Sequence, residues 1–310
     1  MLSHKGYYST GVNGVQLNSN KKSKTSRRVQ WVSALYIAPS FIGVLVFFIL
    51  PFMVVIRYSF LDNPINAEFV GFDNFKYVLG NEAFKTAVRN TAIFSAVAVP
   101  LAVALSLLLA VVLESRIPFK SQFRTFFLSP MMVPVASIVL IWQVLFHYNG
   151  AVNDFLGLFG AEKIDWFKSK YSIIVVVILF LWKNLGYNMI LFMAALSSVP
   201  RDILEVAELE SATKWQIFYY IKLRYLSSTT LFVTIMSLIN SFKIFREVYL
   251  LTTDYPYDSV YMLQHFMNNK FKSLDYQTLS AAAILMSLVM IVIIGALFAV
   301  DYLFGRDVEG

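Results

Sequence analysis

The sequence contains no cysteine and few charged residues, and both scarcities limit what the chain can be. Asp, Glu, Lys and Arg make up 15% of the 310 residues, and hydrophobic residues make up 58%. A soluble domain carries about a quarter charged residues. Without cysteine, the chain has no disulfide, no thiolate nucleophile and no cysteine metal ligand. Together with a mean hydropathy of +0.63, the composition indicates an integral membrane protein.

Three further absences exclude classes of membrane protein. The chain has no G-x-x-x-x-G-K-[ST] phosphate loop, so it does not bind ATP in that way. Its three histidines are far apart in sequence and lack the spacing of a metal site, and nothing places a catalytic triad. The acidic residues Glu114, Glu247 and Asp301 fall at the ends of apolar stretches. Ion-driven carriers usually need a carboxylate inside the membrane, so the sequence disfavours that class.

Six apolar stretches are each near the ~20 residues that a bilayer requires. The distribution of Lys and Arg favours cytoplasmic N- and C-termini, with 14 in the tails and loops of that side and 9 in the loops of the other. We therefore predict an all-α, multi-pass protein of the plasma or inner membrane, with about six transmembrane helices in the bilayer, at residues 32–56, 91–113, 125–146, 171–197, 226–251 and 277–303.

The stretches outside these spans are short. Residues 1–31 are polar and basic without the apolar core of a secretory signal, and we expect a retained, mobile cytoplasmic tail. Residues 32–303 form the membrane domain, and 304–310 a short cytoplasmic C-terminus. The basic run within residues 1–31 is too short to indicate nucleic-acid binding.

The segment 200–226 lies between two spans and is polar. It holds four acidic and four basic residues, which cannot lie unpaired in hydrocarbon. Pro200 suits the start of a helix, with Ser197 or Ser198 available as its cap. Two helical stripes follow, and Ser211 lies between them. The pattern predicts two short amphipathic helices joined by a tight turn, with stripes at Ile203, Leu204 and Ala207, then Trp215, Phe218, Tyr219 and Lys222.

Polar side chains also occur inside the spans. The third span carries Pro130 and Pro134, which should bend it. The fourth contains Trp182, Lys183, Asn184, Tyr187 and Asn188, and the fifth contains Asn240, Phe242, Lys243 and Arg246. Buried amides facing lipid are costly, so these residues should face the helix bundle or a water-filled path. The amides then either contact a polar solute or only join helices.

The segment 200–226 resembles the EAA loop of binding-protein-dependent ABC importers. The match runs Glu205-Val-Ala207-x-x-Glu210-Ser211-Ala212-x-x-Trp215-x-x-Phe218-x-x-Ile221-x-Leu223, with Ser211 and Arg224 in place of the usual Gly and Pro. Gly suits a left-handed turn, where Ser costs roughly 1 kcal/mol, so the turn could be a different one. In that family the loop is the coupling helix that docks on a cytoplasmic ATPase. The resemblance assigns docking to Glu205, Ala207, Glu210, Ser211, Ala212, Trp215 and Phe218.

Residues 69–75, 182–188 and 241–245 are similar to further segments of carbohydrate permeases, written F-x-G-x-x-N-[FY], W-K-x-x-G-[FY]-N and S-F-K-x-F. The resemblance implies a type I importer permease that forms half of a sugar pathway. Its implied partners are a second permease, an ABC ATPase dimer that holds ATP and Mg²⁺, and an extracytoplasmic solute-binding protein. This chain itself would hold no cofactor. The implied pathway residues are Trp182, Lys183, Asn184, Tyr187, Asn188, Asn240, Phe242 and Lys243.

Three alternatives remain open from the residues alone. A non-transporting scaffold would use the 200–226 segment but not the polar span interiors. A passive channel or an unfamiliar carrier would use the interiors but not the segment. Transport of a related solute, such as a glycerol phosphodiester or a sugar acid, would use the cations Lys183, Lys243 and Arg246.

Overall fold

The computed structural model describes residues 20–63, 65–115 and 118–305. It divides the chain into two compact units, 1–54 and 55–310. The first unit contains α1 (Asn20–Val44), a π-helical turn (Leu45–Ile49) and the start of α2 (Leu50–Tyr58), whose last four residues are counted with the second unit. Helix α1 thus begins inside the predicted tail 1–31, whose first 19 residues, like 306–310 of the predicted C-terminus, lie outside the described residues.

The described part of the second unit consists of helices and turns, with one isolated antiparallel bridge between Leu61 and Phe69. A 3-10 turn (Asp258–Val260) precedes α14, and a π-helical turn (Ile217–Lys222) follows α10. The helices are α3 (Asp73–Gly80), α4 (Glu82–Glu114), α5 (Lys120–Met132), α6 (Val135–Leu145), α7 (Ala151–Gly157), α8 (Ser172–Ser197), α9 (Arg201–Leu209), α10 (Lys214–Gln216), α11 (Leu223–Tyr225), α12 (Ser227–Phe242), α13 (Phe245–Thr252), α14 (Leu263–Lys272) and α15 (Tyr276–Gly305).

Five of the six predicted spans are helices long and apolar enough to cross a membrane: Val32–Tyr58, Glu82–Glu114, Ser172–Ser197, Ser227–Thr252 and Tyr276–Tyr302. The span predicted at 125–146 is not one helix. It is the pair α5 and α6, which meet at an angle of 103°. Pro134 cannot donate a backbone hydrogen bond, and it forces Val133 into extended backbone (φ −86°, ψ 132°). The prediction of a bend at these prolines is confirmed, and the bend is a full break.

Helix α8 lies at the centre of the second unit and packs against α4, α5 and α12. Its apolar positions form a large part of the core, including a T-shaped contact between Phe180 and Phe94 of α4 at 5.5 Å. Gly186 is the point where α8 meets α5. A Cβ atom at Gly186 would collide with the backbone carbonyl of Phe127, so the absence of a side chain allows the two backbones to touch.

Side-chain amides hold two of the loops of the second unit in place. The Asn153 side chain accepts a hydrogen bond from Trp166 Nε1 (2.9 Å) and donates to the carbonyl of Ile164 (2.8 Å). In the 69–75 element, Asn74 donates to the carbonyls of Ser59 (3.0 Å) and Leu61 (2.8 Å). These contacts explain how the sequence keeps the loops folded.

Candidate functional site

The 200–226 segment folds as two short helical parts joined by a turn, as its stripes predict. Helix α9 ends at Leu209, and α10 continues through the π-helical turn into α11. The second part begins with a capping box, in which Thr213 and Gln216 each satisfy the other's backbone N–H. The predicted cap of α9 is wrong. Pro200 is the N-cap, and its side chain has no polar atom that could make a capping bond. The hydroxyls of Ser197 and Ser198 donate instead to the carbonyls of Met193 and Ala195.

Ser211 occupies a left-handed conformation, with φ of +59°. The N–H of Ser211 donates to the carbonyl of Glu208 (3.0 Å), and the N–H of Ala212 donates to the carbonyl of Ala207 (2.9 Å). This pair of bonds is the Schellman motif, which normally ends in Gly. The turn is therefore of the kind that Gly favours, although the side chain there is that of serine.

The 200–226 segment presents apolar side chains to its surroundings. Leu209 is 85% exposed and Trp215 71%, and Trp215 lies beside the rings of Phe218 (5.9 Å) and Tyr219 (6.5 Å). Two of its residues, Ile217 and Leu226, are buried. Of the residues assigned to docking, Glu205, Glu210, Ser211 and Trp215 are exposed, and Ala207, Ala212 and Phe218 are partly buried. Exposed aromatic clusters of this kind usually mark a binding surface.

One ion pair joins this segment to the rest of the bundle. The Lys222 ammonium contacts both carboxylate oxygens of Glu114, at 2.7 and 2.8 Å. Glu114 is the last residue of α4, and its backbone carbonyl also accepts a hydrogen bond from Lys120 of α5 at 3.4 Å. Lys222 was expected on the outward stripe, but its charge is directed inward to α4.

A cavity of about 1190 Å³ lies beside the broken α5–α6 pair and the polar parts of α8, α12 and α13. Five of the eight predicted pathway residues line it: Lys183, Asn184, Tyr187, Asn240 and Lys243. The same wall contains residues that the sequence did not single out for this role, including Pro130–Ala136 at the helix break, Glu247 and Gln264. The clue available in the sequence was Pro130 and Pro134, which were interpreted only as a bend.

The other three predicted pathway residues lie elsewhere. Asn188 is buried and donates to the Ser237 hydroxyl at 2.9 Å, so it joins α8 to α12. Trp182 packs edge-on against Trp142 at 6.2 Å. Phe242 lines a separate apolar groove between α4, α12 and α15. The interpretation of amides as helix-joining groups therefore holds for Asn188.

Lys183 and Glu247 form an ion pair in the cavity wall. Glu247 is only 3% exposed, so this carboxylate is embedded although the sequence placed it at the end of a span. As predicted, Glu247 lies near the end of the helix Ser227–Thr252, and its carboxylate is directed to the cavity. A buried carboxylate requires a charged partner, which Lys183 supplies.

The amides of the cavity bind each other. Asn240 donates to the Asn184 side-chain oxygen at 2.9 Å, and Asn184 donates to the carbonyl of Phe180 at 2.8 Å. Lys243 and Arg246 also line the cavity, and neither has an ion pair or a side-chain hydrogen bond in the part of the chain that the structure describes.

His265 lies behind this wall and does not line the cavity. Its ring packs edge-on against Phe245 at 4.8 Å, and its Nδ1 accepts a hydrogen bond from the N–H of Met262 at 3.2 Å. Burial lowers the pKa of His265 to about 4. Among residues 20–63, 65–115 and 118–305, no group of three or more His, Cys, Asp or Glu side chains could hold a metal ion.

Comparison with known proteins places this arrangement in a family. The family model described as "Binding-protein-dependent transport system inner membrane component" matches residues 102–310. The Arabinooligosaccharides transport system permease protein AraP of Halalkalibacterium halodurans is 30% identical over 243 residues, covering 75% of this chain and 76% of that protein. The Lactose transport system permease protein LacF of Rhizobium radiobacter is 29% identical over 243 residues, covering 76% and 81%.

The fold is also similar to that of a solved transporter. A chain of the bacterial alginate ABC transporter, crystallised with an alginate pentasaccharide-bound periplasmic protein, matches with a TM-score of 0.79 and 19% sequence identity. The match covers 91% of this chain and 98% of that one. It confirms the predicted fold class, an all-α bundle of the importer-permease type.

Proposed function

The chain belongs to the family of binding-protein-dependent transport system inner membrane components, and from that premise we propose that it is one transmembrane subunit of an ATP-driven importer of a sugar or oligosaccharide. It forms part of the solute pathway and does not itself hydrolyse ATP. Two of its relatives are named as permeases for arabinooligosaccharides and lactose, which supports a carbohydrate as the solute.

The observation that carries the proposal is that one unit contains both the exposed aromatic face of the 200–226 segment and a polar cavity. Trp215, stacked beside Tyr219, is the central anchor for a groove on a separate ATPase. The segment lies on the cytoplasmic side, as the distribution of Lys and Arg favours. The remaining partners are a second permease subunit and an extracytoplasmic solute-binding protein. A solved transporter whose chain has a similar fold was crystallised with a periplasmic protein, which supports the last of these partners.

Transport follows an alternating-access cycle. Closure of the ATPase pair on ATP draws together the coupling segments of the two permeases, and the bundles turn from inward- to outward-facing. The solute-binding protein then releases its sugar into the cavity. The cavity residues Asn184, Tyr187 and Asn240 meet the hydroxyls and rings of the sugar. ATP and Mg²⁺ are held by the ATPase chains.

The first test is co-purification. The tagged chain, extracted in mild detergent from its own membranes, should bring with it a second permease and a Walker-type ATPase. Purification alone, or only with copies of itself, would contradict the proposal and favour a scaffold or channel.

The second test addresses docking directly. Glu205→Lys combined with Trp215→Ala should reduce recovery of the ATPase about tenfold or more, as removal of a central anchor does, while the chain stays in the membrane. Phe159→Ala is the matched control, because this ring is also exposed but lies outside the segment. Equal loss of the ATPase in both variants would remove the docking role of the segment.

A further inference from the structure

The charged side chains of the cavity are not balanced. Its wall contains three cations, Lys183, Lys243 and Arg246, and one carboxylate, Glu247. The carboxylate already pairs with Lys183. In the described part of the chain, two positive charges therefore face this cavity without an acidic partner.

The hydrogen-bonding side chains of the cavity are likewise richer in donors than in acceptors. Lysine and arginine only donate, and Arg246 alone offers five N–H groups. The Asn184 oxygen already accepts from Asn240 and one Glu247 oxygen from Lys183, which leaves the amide oxygens of Asn240 and Gln264 as the main neutral acceptors of the wall. A neutral sugar hydroxyl both donates and accepts, whereas a carboxylate or phosphate only accepts. A cavity rich in donors therefore suits a ligand with an anionic group.

Helix stability does not explain the position of Arg246. It lies in the first turn of α13, where the helix dipole disfavours a cation. Lys243 is the C-cap of α12 and Arg246 lies in the first turn of α13, so both cations flank the junction of the two helices and both line the cavity. The guanidinium fork of arginine matches carboxylate and phosphate oxygens in a bidentate manner.

We infer that the cavity accepts a saccharide carrying a carboxylate or phosphate group, with Lys243 and Arg246 binding that group. The inference rests on the proposed function and specifies its substrate class. Lys183 stays paired with Glu247 and holds the wall in place, while the amides and Tyr187 contact the neutral part of the sugar.

The test uses the complete transporter, with both permeases, the ATPases and the solute-binding protein, in proteoliposomes. The labelled probes are galactotriose, trigalacturonate and glucose 6-phosphate. We expect uptake of trigalacturonate or glucose 6-phosphate to exceed that of galactotriose by roughly tenfold or more, since charged hydrogen bonds contribute strongly. The two anionic probes distinguish carboxylate from phosphate.

Variants assign the effect to the cavity. Arg246→Gln and Lys243→Gln should each lower the ratio of anionic to neutral uptake severalfold, and Arg246→Lys should restore part of it. Arg89→Gln is the control, because Arg89 is an exposed cation of α4 that does not line the cavity. This control should leave the ratio unchanged.

Three results would overturn the inference. Preferred uptake of galactotriose would reject the anionic substrate while leaving the importer function intact. Dissociation of the Arg246→Gln complex during purification would show that the cation binds a partner subunit instead of the solute. Uptake of none of the probes, in a complex that hydrolyses ATP, would count against the proposed function and the inference together.

Discussion

Two ion pairs of the second unit, Lys183–Glu247 and Lys222–Glu114, lie in regions that leave different groups unsatisfied. Lys183–Glu247 lies in the cavity wall with its carboxylate buried, and Lys222–Glu114 lies at the base of the 200–226 segment with both side chains partly buried. Around the first pair, amides bind one another and two cations remain free in the described residues. Around the second, aromatic rings remain uncovered.

The difference separates two kinds of recognition. A surface that leaves apolar rings exposed gains free energy by burying them against another protein. A cavity that leaves charges exposed gains by binding a polar or charged solute. Within one unit, the segment is therefore suited to a protein partner and the cavity to a solute, and the ion pairs fix each region to the helices.

We expect the largest effect from breaking the Lys183–Glu247 pair in the cavity wall. Lys183→Met leaves the Glu247 carboxylate buried and unpaired, which should lower the free energy of unfolding by about 3–5 kcal/mol. The thermal unfolding of the purified protein in detergent measures this. Adding Glu247→Gln should recover most of the loss. Lys76→Met, which removes an exposed pair with Asp73, is the control, and an equal loss there would show that burial is not the reason.

The next largest effect is a dependence of stability on pH. Buried His265 is neutral in the folded state with its pKa near 4, whereas an unfolded histidine has a pKa of about 6.5. The unfolded state therefore takes up the proton first, so stability present above pH 6.5 should fall by about 3 kcal/mol on acidification toward pH 4.

The matched variant for this prediction is His265→Gln. Glutamine can still accept from the Met262 N–H, as in a capping box, but it does not titrate. Thermal melts from pH 7 to pH 4 should therefore show a flatter decline for the variant. Parallel curves for both proteins would assign the acid sensitivity to other groups.

A smaller effect is expected on the local stability of the 200–226 segment. Ser211→Gly should stabilise the turn by about 1 kcal/mol, because glycine adopts the left-handed conformation without strain. Hydrogen exchange of the amides in α9 and the turn measures the gain. Ser211→Ala keeps the strain and should show no gain. Slower exchange in both variants would mean that the serine hydroxyl, and not its backbone conformation, is unfavourable.

We expect the smallest effect from removing the Lys222–Glu114 pair. Lys222→Gln should cost only about 0.5 kcal/mol of global stability, because the Glu114 side chain is 32% exposed and stays in contact with solvent without its partner. Exchange in the π-helical turn and α11 should accelerate. A loss as large as that of Lys183→Met would erase the distinction between the two regions.

Local features of this protein could be predicted from its sequence, and long-range ones could not. The apolar runs predicted five of the spans, Pro134 predicted the break, and the stripes on either side of Ser211 predicted the two-part segment. Each of these depends on neighbouring residues in the chain. Lys183 and Glu247 are 64 positions apart, and Lys222 and Glu114 are 108 apart. No local pattern brings such residues together, since helix packing decides their distance.

The same reason explains the mixed outcome in the cavity. The amides of α8 share one sequence pattern, yet Asn184 lines the cavity and Asn188 binds Ser237. Four residues along a helix is slightly more than one turn, so the two side chains lie on adjoining parts of the same face. Whether such a position meets a solute or a neighbouring helix depends on where α12 crosses, which the sequence of α8 does not contain.

Gly186 sets how closely α5 and α8 approach each other. Their backbones touch at this glycine and Phe127, and a larger side chain at position 186 would force the two helices apart. Lys120 at one end of α5 binds the carbonyl of Glu114, and Pro130 near the other end lines the cavity. A substitution at Gly186 would therefore disturb the cavity wall and the base of the 200–226 segment through the same helix.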